Sequence, residues 1–234
     1  MRVAIFAAIA NALLLVNPAR AQSGPPSLCK PCLFYAGDLD PDDPSAEAFA
    51  NEDTLSVYAV TYGAVKVPGN RSVLIDGILF QTVIQDGDAF KYQTASYEIR
   101  TGVIGNGGTL VGAGGGFTAM KPTGRQFNGG TEYTIAVKVD PPVELDGGQS
   151  PGTEYWFNLT PNCTNQNNPT CQTITYLVSN TSGTNGLHLF ASLADQIVLV
   201  WPQFNYNWSY CYEDGFTGQQ CGLLSFGLMG TVVQ

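Results

Sequence analysis

Charge is scarce in this chain. Asp, Glu, Lys and Arg make up 12% of its 234 residues, about half the roughly 25% usual in globular domains. Long helices laced with ion pairs, and coiled coils, need far more than that and are excluded. Histidine is scarcer still, with His188 the one example. Any Ser-His-Asp triad would have to use it. It alternates with Leu187 and Leu189 in a strand-like run, and no G-x-S-x-G elbow is present, so triad hydrolysis is not expected. Outside the first twenty residues helical periodicity is also missing, apart from a weak Ser45–Ala50. Intrinsic disorder is excluded from the other side: 11 Tyr, 12 Phe and 3 Trp give enough apolar surface to offset the entropy of ordering.

What is present begins with a leader. Residues 1–21 carry Arg2, an apolar run from Val3 to Val16 broken by Asn11, and then Pro18-Ala19-Arg20-Ala21. The Ala-x-Ala pattern places signal cleavage before Gln22. The run is shorter than the ~20 residues of a membrane span, so the chain is expected to be secreted, to the outside or the cell surface, with no membrane span after cleavage. Loss of Arg2 and Arg20 leaves 8 basic against 19 acidic groups, a net charge near −11. Such a surface repels phosphate backbones, and nucleic-acid binding is not expected.

All six cysteines follow the leader: Cys29, Cys32, Cys163, Cys171, Cys211 and Cys221. An even number in an exported chain implies disulfides. Their grouping favours Cys29–Cys32, Cys163–Cys171 and Cys211–Cys221, each closing a short loop and so contributing a few kcal/mol at most. Cys29-Lys30-Pro31-Cys32 has redox-pair or half-zinc-site spacing. It follows Gly24-Pro25-Pro26 rather than a strand and lacks a second ligand pair, so the structural disulfide is the favoured reading.

From Thr54 onward the pattern is that of strands. Thr54–Val67, Val73–Ile84, Tyr97–Arg100, Glu132–Val139, Glu154–Leu159, Thr173–Val178, Ile197–Trp201 and Leu223–Val233 are rich in β-branched and aromatic residues, several with strict alternation. Between them lie turn formers such as Pro68-Gly69-Asn70 and Asn128-Gly129-Gly130. Gly102–Gly116 holds eight glycines and reads as a mobile loop or glycine-rich hairpin. Gly105-x-Gly107 within it has no helix to follow, so it is no dinucleotide fingerprint. The fold class expected is all-β: an antiparallel two-sheet sandwich, jelly-roll-like, with a single-sheet barrel as the alternative. The organisation expected is a signal peptide over 1–21, an extended acidic N-terminal arm over 22–53 and a β-sandwich domain over 54–234.

Tyr97-Glu98-Ile99-Arg100-Thr101-Gly102, Gly105-Asn106-Gly107-Gly108-Thr109-Leu110, Glu132-Tyr133-Thr134 and Pro151-Gly152-Thr153-Glu154-Tyr155-Trp156 form an ordered series. It resembles exported bacterial β-sandwich domains, many of them in PEP-CTERM-anchored proteins. Those read Y-x-I-R/Y, then N-G-G-x-x-G-x-x-L, then Y-x-x-x-L and L-x-x-G-T-Y-W-L. Here Glu154 is inserted between Thr153 and Tyr155, and the chain ends without the apolar helix and basic tail of the anchored members. Cys32-Leu33-Phe34-Tyr35-Ala36-Gly37-Asp38-Leu39-Asp40-Pro41 resembles the opening of acidobacterial-type secreted proteins. The resemblance implies fold and compartment, and carries over no catalytic residue.

Three clusters carry candidate chemistry. Asp38–Asp53 holds seven acids and no base, and the alternate spacing of Asp38, Asp40 and Asp42 could converge three carboxylates on Ca²⁺. A full EF-hand is excluded, because Asp43 and Phe49 stand at its sixth and twelfth positions. A solvated acidic loop is the plainer alternative. Glu98, Glu132 and Glu154 all lie on predicted strands and could supply the paired carboxylates of a glycosidase or lyase. Tyr206, Trp208, Tyr210 and Tyr212 share one parity, so on a strand they would either pack a core or offer rings to a sugar. The function expected is non-catalytic binding of an extracellular glycan or surface polymer, with Tyr206, Trp208 and Tyr210 as ligand contacts. A structural subunit assembling by strand addition comes second, and a polysaccharide-active enzyme third.

Overall fold

The computed structural model describes residues 25–43, 46, 48–53, 58–84, 92–102, 107–162, 175–180, 187–188, 191–201, 207–210 and 223–233. The leader, Tyr206, Cys163, Cys171, Cys211 and Cys221 lie outside the described residues. Among those residues there are fifteen strands and no helix. The first six are β1 Cys32–Tyr35, β2 Ala48–Ala50, β3 Glu52–Asp53, β4 Tyr58–Val67, β5 Ser72–Ile84 and β6 Thr94–Thr101. The long hairpin β7 Thr109–Phe127 and β8 Gly130–Asp146 follows, then β9 Thr153–Asn162, β10 Thr175–Asn180 and β11 Leu187–His188. The last four are β12 Ala191–Trp201, β13 Asn207–Tyr210, β14 Leu223–Leu224 and β15 Phe226–Val232.

All pairings are antiparallel and trace one path, β11-β1-β15-β5-β8-β7-β6-β9-β4-β12-β13, with β2, β3, β10 and β14 attached beside it. The path bends at β7. Its residues Thr109–Phe117 pair with β6, whereas Thr118–Phe127 pair with β8. The β7–β8 turn is two residues, Asn128 (φ 48°) and Gly129 (φ 80°), both left-handed. That is the conformation Asn-Gly adopts most readily and the one whose twist matches the flanking strands. The all-β antiparallel class expected from the sequence is what the chain adopts. Its strands form one continuous sheet curled into a half-barrel.

The curl brings β15 and β5 face to face with β9 and β4. Phe226 on β15 stacks on Phe80 of β5 at 5.2 Å and touches Phe34 of β1 at 5.1 Å. Across the interior it meets Phe157 of β9 at 6.2 Å. Gly63 on β4 makes room for that ring, since a Cβ there would stand 2.8 Å from Phe226 Cε1. Val73, Ile75, Ile78, Phe80, Ile135, Val137 and Val139 line one side of this core, and Val65, Val67, Tyr97, Ile99 and Phe157 the other. On β5 the inward parity changes from Val73 and Ile75 to Ile78 and Phe80, because the register shifts between Ile75 and Gly77. A one-residue change of phase turns every following side chain over.

The N-terminal segment expected as an extended arm over 22–53 is part of this packing. β1 lies inside the sheet between β11 and β15, with Phe34 and Tyr35 fully buried. Cys29, Tyr35, Leu79, Ala136 and Met229 form a second apolar cluster, and Leu39 with Val83 a third. Residues 28–43 and Ala46 therefore cover the outer face of β5 and β8, which explains why β5 is buried on both faces. The glycine-rich stretch takes the second of its two expected forms, a hairpin: β6 pairs with the first half of β7, from Thr101 opposite Thr109 to Ala95 opposite Gly116. Gly112 and Gly114 let Val143 and Tyr97 pack closely, since a Cβ at either would come within 2.8 Å of them.

Phe226→Ala should lower unfolding stability by about 3–5 kcal/mol, the usual cost of deleting a fully buried aromatic ring. Urea titration measures it. A loss under about 1 kcal/mol would mean that the two halves of the sheet do not meet through this ring.

Candidate functional site

Beneath the N-terminal cover, the outer face of β5 and β8 carries a row of polar side chains beside its apolar clusters. Gln81, Thr134 and Glu132 are buried there beside Tyr35, Asp38, Arg125 and Ser225. Burying so many polar groups is costly unless each finds a partner. Thr134 Oγ1 donates to Gln81 Oε1 at 2.9 Å, and Gln81 Nε2 donates to Tyr35 Oη at 3.0 Å. Tyr35 Oη in turn donates to Asp38 Oδ1. Ser225 Oγ donates to the carbonyl of Gly37 and holds the covering loop down.

Arg125 joins this row to β7. Three residues, Thr123, Gly124 and Arg125, stand opposite the single Glu132, because the register jumps between Pro122 and Gln126. This bulge, with Gly124 at φ 87°, turns the guanidinium inward. Its Nε donates to Glu132 Oε2 and its Nη2 to Asp38 Oδ1 at 3.1 Å. Thr123 Oγ1 adds a bond to Glu132 Oε2 at 2.6 Å. One guanidinium thus serves two buried carboxylates, and Glu132 Oε1 has no hydrogen-bond partner. Burial raises the Glu132 carboxyl above its ordinary range, against the lowering pull of Arg125 and Thr123. Burial and then Asp38 push the Tyr35 phenol well above its ordinary value.

The other predicted acids have separate fates. Glu98 accepts from Arg100 Nε at 2.7 Å and from Tyr62 Oη. Burial pushes Glu98 up, but Arg100 and Tyr62 outweigh it and hold the carboxyl below its ordinary value. Glu154 is raised by burial, opposed by Lys66 and Trp156. Glu98 pairs with Asn158 on β9, four residues from Glu154, or about 13 Å at 3.3 Å per residue.

Of the three aspartates proposed for calcium, Asp38 is turned inward onto Arg125 and Tyr35, whereas Asp40 and Asp42 are exposed. Asp40 Oδ1 accepts the Asp42 backbone N–H at 3.0 Å. Among the described residues no group of three His, Cys, Asp or Glu is arranged to hold a metal ion. Cys29 and Cys32 are disulfide-bonded, as their spacing suggested. The aromatic positions Trp208 and Tyr210 lie on β13, the last strand of the path, opposite Val200 and Val198.

Sequence reasoning missed Arg125, Gln81 and Thr123. Two signals were available: a glutamine inside the apolar run Val73–Ile84, and Thr123-Gly124-Arg125 interrupting an alternating segment. It also missed a second buried polar knot. Asn51 Nδ2 donates to the carbonyl of Leu159 at 2.7 Å. Asn158 Nδ2 donates to Asn51 Oδ1 at 3.0 Å and to the Thr61 carbonyl at 2.7 Å.

The exposed apolar residues are fewer. Leu110, Val111 and Phe117 stand out on the first half of β7, with Phe117 84% exposed. No family model, no curated protein and no solved structure matches this chain.

Arg125→Met should cost about 3–5 kcal/mol by leaving two buried carboxylates uncompensated. A folded carboxyl with a raised value contributes stability that is complete below the unfolded value and is lost as pH rises through the folded one. Glu132→Gln cannot titrate, so its stability relative to the native chain should improve from about pH 4 to about pH 7. Urea unfolding at both values measures this, and a pH-independent difference contradicts it.

Proposed function

We propose that the chain is an exported, non-catalytic β-protein that works by binding, with an extracellular glycan or surface polymer as its ligand. The observation that carries this reading is the distribution of side chains on β7. Leu110, Val111 and Phe117 are exposed together within a stretch, Thr101 to Met120, that has no charged residue. Exposed apolar patches on otherwise polar proteins are interaction surfaces, and an aromatic ring offers a face on which the C–H side of a sugar stacks.

The acids point the same way. Glu132 is sealed from solvent and Glu98 is tied to Arg100, so neither is free to act as acid or base on a polymer. Calcium is no part of this reading, because Asp38 would have to leave Arg125 to reach Asp40 and Asp42. The facing halves of the curled sheet, joined through Phe226 and Phe157, support a jelly-roll-like two-layer arrangement as the finer description of the fold. Trp208 and Tyr210 on the terminal strand, with Tyr206, are proposed as further ligand contacts. A structural subunit is the second reading, favoured by the edge of Thr109–Phe117 that no strand pairs with among the described residues.

Binding to a panel of soluble and insoluble polysaccharides tests the proposal. Leu110→Ala with Phe117→Ala should weaken retention by at least about tenfold, the equivalent of about 1.4 kcal/mol, with no change in melting temperature. Absence of retention on every polymer contradicts the glycan reading.

A further inference from the structure

The β7–β8 hairpin opens into a fork. Up to Thr118 and Val137 the two strands pair with each other. Beyond that point Lys138–Asp146 of β8 keeps only β5, and Thr109–Phe117 of β7 keeps only β6. Among the described residues no strand pairs with the remaining edge of either segment.

The two open edges are built differently. That of β8 carries Pro141 and Pro142 where its register breaks against β5, together with the exposed ion pair Lys138–Asp140 at 2.8 Å. Prolines, bulges and charges are the devices that stop an edge from recruiting another strand. The β7 edge has one bulge, at Val111 where Ile99 pairs with Gly112 and Arg100 with Leu110, but neither proline nor charge. The 20 residues from Thr101 to Met120 include no proline and no charge, although Arg100 and Lys121 flank them.

We propose that Thr109–Phe117 is a self-association edge, adding antiparallel to the same segment of a second copy. This rests on reading the Leu110, Val111 and Phe117 strip as the working surface. The occupant follows from charge. The full chain carries a net charge of −9, near −11 once the expected leader is removed, so two copies repel except where the surface is uncharged, and this strip is uncharged over its whole length. A cationic or anionic partner would gain nothing there, whereas an identical strip matches it residue for residue. Antiparallel pairing of identical strands is two-fold symmetric, so the assembly closes at two copies. The added ladder uses the backbone groups that β6 leaves free.

Light scattering coupled to size exclusion, from micromolar to millimolar protein, tests this. The mass should double with concentration, and added salt should favour the doubled species by screening the like charges. Leu110→Lys with Phe117→Lys, both at exposed positions, should stay at the single-chain mass with an unchanged melting temperature. Val233→Lys, exposed but outside the strip, should still double. A constant single-chain mass, an open-ended series of larger species, or doubling that survives the β7 lysines overturns the proposal. Polysaccharide retention measured on the same samples separates the two readings. Retention by a chain that never doubles removes self-association and leaves the binding surface. Doubling without retention does the reverse.

Discussion

The structure depends on the point at Phe117 and Thr118 where β7 exchanges β6 for β8. A strand of 19 residues is far longer than the usual five or six, and no single neighbour follows it throughout. Changing partner in mid-strand bends the sheet until Phe226 reaches Phe157 and Gly63. The interior filled by Val73, Ile78, Ile99 and Val139 exists because of that bend. It also fixes what is left over, since each strand of the fork keeps one neighbour after they part.

The cost of the arrangement falls on the outer face. β5 and β8 sit in the middle of the path, and their outward side chains would be exposed if nothing covered them. Residues 28–43 and Ala46 supply the cover, and its polar contacts converge on Arg125. One guanidinium reaches Glu132 on β8 and Asp38 in the covering segment, while its own backbone lies in the β7 bulge. Buried ion clusters are weak contributors to net stability but costly to break. This one ties the covering segment to the β7–β8 hairpin, and so specifies where the cover lies more than how firmly it is held.

Much of the fold was legible. Alternation gave β4, β5, β6, β8 and β9, Asn128-Gly129 gave the hairpin turn, and the three-residue spacing gave Cys29–Cys32. The glycine-rich hairpin of β6 and β7 was legible, but not the length of β7, because two of its glycines answer to close neighbours, Tyr97 and Val143, that no local pattern reveals. The segment before Thr54 read as an acidic arm because its charge density is high. Its anchors, Phe34, Tyr35 and Leu39, are few, and Asp38 is buried only because Arg125 arrives from 87 residues away. The spacing of Asp38, Asp40 and Asp42 suggested convergence on an ion, but adjacent turns of an irregular loop need not aim side chains alike. The candidate binding strip was legible in composition, as an uncharged glycine-rich run, and became a surface only once Thr109–Phe117 was seen to pair with β6 alone among the described residues.

Amide hydrogen exchange resolved along β7 tests this division of the strand most directly. In dilute protein, alternate amides of Thr109–Phe117 should exchange rapidly, because only those facing β6 are bonded, while amides of Thr118–Phe127 facing β8 should be protected at the level of the core. Uniform protection from Thr109 to Phe127 in the dilute single chain would contradict the account, since it would mean that the edge assigned as the working surface is already covered.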